Sequence, residues 1–381
     1  MSLRVDVLKA IDALVGPALC ALLARRAARL DRRPAADPPR RILVIRPGGI
    51  GDAVLFIPML RALRRRWPQA RLELLVEARN AGVVAGTDLA DEVLRYDRPL
   101  AGLRRVLSRS YDLVIDTEQY HRLSAVVACL TGAPRRIGFA TNIRRRLLTT
   151  GVPYDQELYE VYSFLELAER ATGEPAPFDP DSPFLVPDAA SARFAEERLR
   201  PLADLPRVAI HPGASIPERR WPPERYGEVA RMLAERGIGI VILGGPKDGP
   251  AAAVIARAVS DRPHINLSGQ CTLPQAAAVV ARVAVYLSAD SGVLHLAYAV
   301  GTPTVHLFGP GVSSKWGPPG SRFRIIESGV PCSPCTRFGF TPPCCQGLRC
   351  MLDITPQRVF TAVMEQLETE GAIAGAAGAD G

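Results

Sequence analysis

Twice in this chain a buried strand runs into a glycine turn and then into a helix, and few architectures accommodate that order. The first occurrence is "RILVIR", the turn "PGGIG" and the helix-compatible "DAVLFIPMLRALRRRW", in which Pro58 should kink or interrupt the helix. "RLELLVE", "DEVLRYD", "YDLVIDTE" and "RRIGFA" read as later strands, with helices such as "HRLSAVVACLTG" between them. The pattern then restarts: "PRVAIHPGAS" is a strand ending in a turn, "PPERYGEVARMLAERG" a helix, "IGIVILGG" a strand, and "RVAVYLSADSGVLHLAYAVGTPTVHLFGP" a strand, turn, helix and strand. Strands alternating with helices form βαβ units on a mainly parallel sheet. The expectation is an α/β chain of two doubly wound Rossmann-like domains facing across a cleft, with ligands beyond the carboxyl ends of the strands.

The expected organisation is an N-terminal helix and linker over 1–40, a first Rossmann-like domain over 41–190, a second over 191–355, and a C-terminal helix with a disordered tail over 356–381. A chain of 381 residues, 48% of them hydrophobic, can fill two such cores. The net charge of +8 favours an anionic partner, but aromatics are only 6% and no arginine run is interleaved with them, so a nucleic-acid surface is not expected. Half of that charge, eight Arg/Lys against four Asp, lies in residues 1–40. The uninterrupted apolar run there, Ala13 to Ala24, is too short to span a bilayer, which takes about 20 residues. Asp6 and Asp12 before it and arginines after it speak against a signal peptide. Two readings stay open for this helix: it lies on an anionic membrane surface, or it packs on the protein's own body or on a partner.

Gly48, Gly49 and Gly51 follow the first strand, and Asp52 follows them. Asp52 reads either as the helix N-cap or as a carboxylate placed to take a proton from a hydroxyl. In the second half, Asp290, Ser291 and Gly292 open a helix after a buried strand, where free N–H groups suit a diphosphate. Ser291 and His295 would share a helical face, with a core histidine as the plain alternative for His295. His211, Ser215, Arg219 and Arg220 lie beyond the first strand of this half; the arginines could neutralise phosphate or be a solvated pair. Gly244, Gly245 and Lys247 end the next strand, where they would line the nucleotide pocket on the donor side. Arg64–Arg66, Arg135–Arg136 and Arg144–Arg146 form basic clusters, of which Arg135 and Arg136 are favoured as contacts to an anionic acceptor. Cys20, Cys129 and Cys271 suit apolar packing, whereas Cys332, Cys335, Cys344, Cys345 and Cys350 crowd one stretch as C-x2-C-x8-C-C-x4-C. The first pair has zinc-like spacing, the remainder is irregular, and a free-thiol loop is favoured over a metal site.

"ILVIRPGGIGDAVLFIPMLRALRRRWP", "HPGAS…RRWPPERY" and "SADSGVLHLAYAVGTPTVHLFGP" together resemble glycosyltransferase family 9, the ADP-heptose:lipopolysaccharide heptosyltransferases, over roughly Arg41 to Phe360. The resemblance implies a two-domain fold of GT-B type and inverting transfer, with a lipid-linked acceptor on the first domain and an ADP-sugar donor on the second. It implies Asp52 as general base, Arg219 on the donor diphosphate, and Ser215, Asp290, Ser291, Gly292 and His295 at the donor. Lys247 stands where some members carry an acid on the ribose. No metal and no cofactor is implied. The expected partners are an ADP-sugar, lipopolysaccharide or lipid A, and the inner face of the cytoplasmic membrane. The alternatives are a family 9 transferase for a different nucleotide sugar and a non-catalytic nucleotide-sugar-binding protein.

Overall fold

The computed structural model describes residues 3–84, 87–97 and 101–373. It divides into two units, Met1–Phe178 and Asp179–Gly381. The first contains α1 (Leu3–Leu30), β1 (Arg41–Arg46), α2 (Ile50–Leu55), α3 (Ile57–Arg66), β2 (Arg71–Val76), β3 (Glu92–Arg95), α4 (Ala101–Leu107), β4 (Leu113–Asp116), α5 (Leu123–Leu130), β5 (Arg135–Phe139), β6 (Thr150–Val152) and α6 (Glu160–Thr172). The second contains α7 (Ala189–Leu199), β7 (Arg207–His211), α8 (Pro223–Ala234), β8 (Gly239–Ile242), α9 (Gly249–Ala258), β9 (His264–Asn266), α10 (Leu273–Val280), β10 (Val285–Ala289), α11 (Leu294–Ala299), β11 (Thr304–Phe308), α12 (Ser313–Trp316), β12 (Phe323–Glu327), α13 (Arg349–Leu352) and α14 (Pro356–Thr369). The tail expected beyond α14 falls at 374–381, outside the described residues.

Each unit holds one six-stranded sheet, ordered β3-β2-β1-β4-β5-β6 in the first and β12-β11-β10-β7-β8-β9 in the second. Every pairing between these strands is parallel. In both units the first strand is central and the order reverses beside it, between β1 and β4 and between β7 and β10. A crevice opens at the carboxyl end of such a switch point, which is where ligands bind in open α/β sheets. The central strands are buried on both faces, so "RILVIR" and "RVAIH" carry unbroken apolar runs instead of alternation. The short strands β6, β9 and β12 are additions to the sequence reading.

Pro58 does interrupt the helix after the glycine turn. Lacking an N–H, it cannot bond back to the carbonyl of Val54, and the chain breaks at Phe56, which closes α2 and opens α3. The N-terminal helix packs on the first unit. Cys20, Ala27 and Leu30 are buried against Ala125, Val126, Cys129 and Leu147. Asp12, which interrupts the apolar pattern of α1, is 2% exposed. Its carboxylate accepts the backbone N–H groups of Arg122 (2.6 Å) and Leu123 (2.7 Å) at the start of α5. It also faces Arg122 Nη1 at 3.2 Å and His121 Nδ1 at 3.4 Å. A carboxylate from one helix thus caps the amino end of another, as the orphan N–H groups and the helix dipole favour.

Candidate active site

In the first unit the polar groups of Gly48, at the head of the glycine turn, are already taken by neighbouring side chains. Gly48 has φ +101°, a conformation that L side chains rarely adopt. Its N–H donates to Glu77 Oε1 at 3.1 Å, and its carbonyl accepts from Asn80 Nδ2 at 3.2 Å. Glu77, just past β2, is further held by the Tyr96 hydroxyl at 2.6 Å. An acid already occupying the turn would repel a phosphate.

Asp52 is the third residue of α2, whose N-cap is Gly49, so the N-cap reading of Asp52 is corrected. A Cβ at Gly49 would lie 3.2 Å from Asp52 Oδ2, so this carboxylate folds back over the turn. Asp52 Oδ1 accepts from Gln119 Nε2 at 3.2 Å, a bond that crosses the switch point between β1 and the end of β4. Gln119 Nε2 also donates to Glu160 Oε1 at 2.7 Å, and Gln119 Oε1 accepts from Arg46 Nη2 at 3.5 Å. The Tyr154 hydroxyl donates to Glu160 Oε2 at 3.0 Å. Burial raises the Tyr154 pKa above its usual range, and the Glu160 charge adds to this, so the hydroxyl stays a donor. Arg46 is fully engaged: it is 1% exposed, donates to the carbonyls of Pro47 (2.6 Å) and Thr117 (2.9 Å), and sits 5.5 Å from the Phe164 ring centroid. The result is a half-exposed carboxylate whose one oxygen is fixed by an amide. Gln119 and Glu160 were not singled out in the sequence.

Arg135 and Arg136 do not belong to this loop. They open β5, at the amino rim of the sheet, whereas the glycine turn stands at the carboxyl rim. Arg136 is fully buried and donates to Leu147 O at 2.7 Å and Ala27 O at 3.3 Å, with its Nη2 also paired to Asp31. It therefore fastens the end of α1 to the sheet. Arg135 Nη2 donates to Ala171 O at 2.6 Å, closing the end of α6. Arg144, from another basic cluster, is buried and paired with Asp116 beneath the end of β4.

In the second unit the loops after β7 and β10 meet across the corresponding switch point. Arg219 Nη1 lies 2.8 Å from Asp290 Oδ2, with the two side chains 14% and 4% exposed. His211 Nδ1 and Ser288 Oγ approach to 3.4 Å, and Ser288 Oγ lies 3.2 Å from Ser291 Oγ. The helix here is shorter than expected: α11 begins at Leu294, so Asp290, Ser291 and Gly292 form the turn before it. Ser291 Oγ accepts the N–H of Leu294, the first residue of that helix, at 3.4 Å. His295 is 3% exposed and packs edge-on to Tyr298, with ring centroids 5.4 Å apart. Arg220 is exposed and its Nε donates to Ala214 O at 2.9 Å, while Ser215 is exposed on the same loop.

Lys247 points to the exposed surface, and the residue that turns inward is its neighbour Asp248. Asp248 Oδ2 accepts the Gly245 N–H at 2.8 Å and stands 3.7 Å from His211 Nε2. A Cβ on Gly213 would come within 2.4 Å of this carboxylate, so only glycine lets the loop after β7 lie against it. The signal was available: an acid three residues after a turn glycine reaches back to its N–H in a capping-box pattern. Burial lowers the His211 pKa below its usual range, against the opposing pull of Asp248.

All eight cysteines are free thiols. Burial, followed by the nearby Cys344, Cys332 and Cys335, pushes the Cys350 thiol up to about 11. Cys344 Sγ accepts backbone N–H groups from Gln346 (3.4 Å) and Leu348 (3.3 Å).

The sequence profile of glycosyltransferase family 9 (heptosyltransferase) matches residues 100–341. Lipopolysaccharide heptosyltransferase 2 of Salmonella typhimurium is 27% identical over 356 residues, covering 87% of this chain and 99% of the relative. The protein of the same description from Escherichia coli K12 is 27% identical over 344 residues, covering 84% of this chain and 96% of the relative. Among solved structures, E. coli ADP-heptose lipopolysaccharide heptosyltransferase II aligns with a TM-score of 0.70 and 24% identity, over 87% of this chain and 99% of that one. A family 9 glycosyl transferase from Veillonella parvula aligns with a TM-score of 0.73 and 20% identity, over 87% and 98%.

Proposed function

The chain belongs to glycosyltransferase family 9, the heptosyltransferases, and from that premise we propose that it moves a heptose from ADP-heptose to the inner core of lipopolysaccharide, with inversion at the anomeric carbon. The acceptor is a lipid A–Kdo or heptosyl-core hydroxyl held by the first unit, and the donor is held by the second. The observation that carries this reading is the carboxylate at the first switch point: Asp52 has Oδ1 fixed by Gln119 and Oδ2 at the glycine turn. It accepts the proton of the acceptor hydroxyl as that oxygen attacks the anomeric carbon. The new carbon–oxygen bond forms on one face while the bond to the diphosphate breaks on the other, and ADP leaves with the electron pair.

Arg219 and Arg220 receive the growing charge on the diphosphate. Asp290 holds the Arg219 guanidinium in place before the donor arrives. Because the acceptor is lipid-linked, the chain works peripherally on the inner face of the cytoplasmic membrane.

The test is transfer from ADP-heptose to heptose-deficient lipopolysaccharide by purified wild type and Asp52→Asn. Wild type is expected to transfer, and the variant to lose roughly 10²- to 10⁴-fold in kcat, the usual contribution of a general base. No transfer by wild type overturns the reaction; equal transfer by both overturns the role of Asp52.

A further inference from the structure

Helix α1 is apolar on two opposite faces, and the body covers one of them. The inner face buries Gly16, Cys20, Ala27 and Leu30. The outer face carries Leu14 at 80% and Leu22 at 77% exposure, with Val7, Val15 and Ile11 at 49%, 44% and 42%. These positions recur at the spacing of one helical stripe, and the span from Val7 to Leu22 is about 23 Å at 1.5 Å per residue. A contiguous apolar stripe of that length on a water-facing helix marks an interaction surface.

Charge on the helix is sorted by direction. The two described carboxylates of α1 and the turn after it both face the body, Asp12 toward Arg122 and Asp31 toward Arg136. Arg25, Arg26, Arg29, Arg32 and Arg33 are exposed next to the stripe. The outward surface is therefore apolar along its length and positive toward its carboxyl end. A second copy of this chain would bring the same arginines to such a contact. An anionic lipid surface offers both an apolar layer and the opposite charge. No described helix is long and apolar enough to cross a membrane, so α1 would lie along the surface.

We propose that the outer face of α1 docks the chain onto an anionic bilayer, with Leu14 and Leu22 entering the acyl boundary and Arg25, Arg26 and Arg29 meeting lipid phosphates. The proposal deepens the membrane-surface part of the function above and rests on it for its purpose, while its geometry is that of the helix itself. The buried face keeps α1 fixed to the first unit, so docking holds the unit assigned to the acceptor against the leaflet that carries it.

The experiment is co-sedimentation of the full chain with vesicles of phosphatidylcholine alone and of phosphatidylcholine with phosphatidylglycerol. It compares wild type, Leu14→Glu/Leu22→Glu and Arg25→Glu/Arg26→Glu/Arg29→Glu. Wild type is expected to bind only the anionic vesicles, less so as salt rises, and each variant to bind at least about tenfold more weakly. Because all five positions face outward, folding is expected to be retained, which circular dichroism checks. Equal binding by wild type and both variants overturns the proposal. So does a wild-type dimer without vesicle binding that Leu14→Glu/Leu22→Glu makes monomeric, since the face would then belong to a second copy. Transfer to a water-soluble core oligosaccharide should be the same for wild type and variants. Loss of docking with transfer intact is thus distinguishable from failure of the transferase reading.

Discussion

The two sheets share one strand order, yet their switch points are furnished differently. At the first, carboxylates gather: Asp52 and Glu160 share one amide, Glu77 closes the glycine turn, and Arg46 beside them is buried and engaged. At the second, Arg219 and Arg220 stand on the loop after β7, and the carboxylates Asp290 and Asp248 hold neighbouring groups in place. The difference teaches that strand, glycine turn and helix form a placement device with no chemistry of its own. Under the proposed function, the residues delivered to the crevice decide whether it handles a neutral hydroxyl or a diphosphate.

Substitutions at the two points should therefore separate in kind. The largest effect is expected from Asp52→Asn, which should lower kcat while leaving ADP affinity unchanged; weaker ADP binding in that variant would break the comparison. Arg219→Ala should follow, losing about 10²- to 10³-fold in transfer together with weaker ADP binding, as for removal of one donor to developing charge. Unchanged ADP affinity by calorimetry would remove Arg219 from the donor side. Gln119→Ala frees Asp52 Oδ1 without touching the base itself. A loss of roughly tenfold in kcat with KM unaltered is expected, and an unchanged rate would show that Asp52 needs no orienting amide. Arg135→Ala, at the far rim of the sheet, should leave the KM for acceptor unchanged, and a raised value would restore it to the acceptor side.

A smaller effect concerns pH at the α1 clasp, and it sharpens the contrast between the fixed inner and free outer faces of that helix. The Asp12 hydrogen bond raises the His121 pKa above 6.5. Burial pushes Asp12 up, but its bonds with His121, Leu123 and Arg122 leave it below 3.8. The His121 contribution is complete below its unfolded value and is lost as pH rises through its folded value. The Asp12 contribution is complete above its unfolded value and is lost as pH falls through its folded value. The clasp should thus be tightest in mildly acidic solution, and the protection of α1 amides, measured as exchange relative to the intrinsic rate at each pH, should fall as pH rises past neutrality. His121→Ala should remove that fall in protection, and an unchanged protection profile in the variant would assign it elsewhere.

The central strands, the break at Pro58 and the position of Asp52 were legible because each depends on residues adjacent in sequence. The strands β6 and β9, three residues each, are too short to show a period. Gln119 and Glu160 could not be singled out, since Gln119 is 67 residues from Asp52 and Glu160 is 41 residues from Gln119. The Arg135–Arg136 assignment failed for a reason visible in the strand itself, since residues that open a parallel strand stand at the rim away from the crevice. Asp248 was likewise readable from its spacing to Gly245.

By itself the sequence determined two parallel α/β units, the carboxylate after the first glycine turn, and the arginines after the restart. Hydrophobic alternation and turn chemistry act over a few residues, so order along the chain suffices to reveal them. Only the tertiary structure decided which polar groups are already taken. The Gly48 N–H is closed by Glu77, Arg136 is locked to α1, Asp12 caps α5, and Asp52 keeps an oxygen at the turn. Those outcomes follow from burial: a polar group removed from water must find a partner, and the partner that packing brings near is set by the fold.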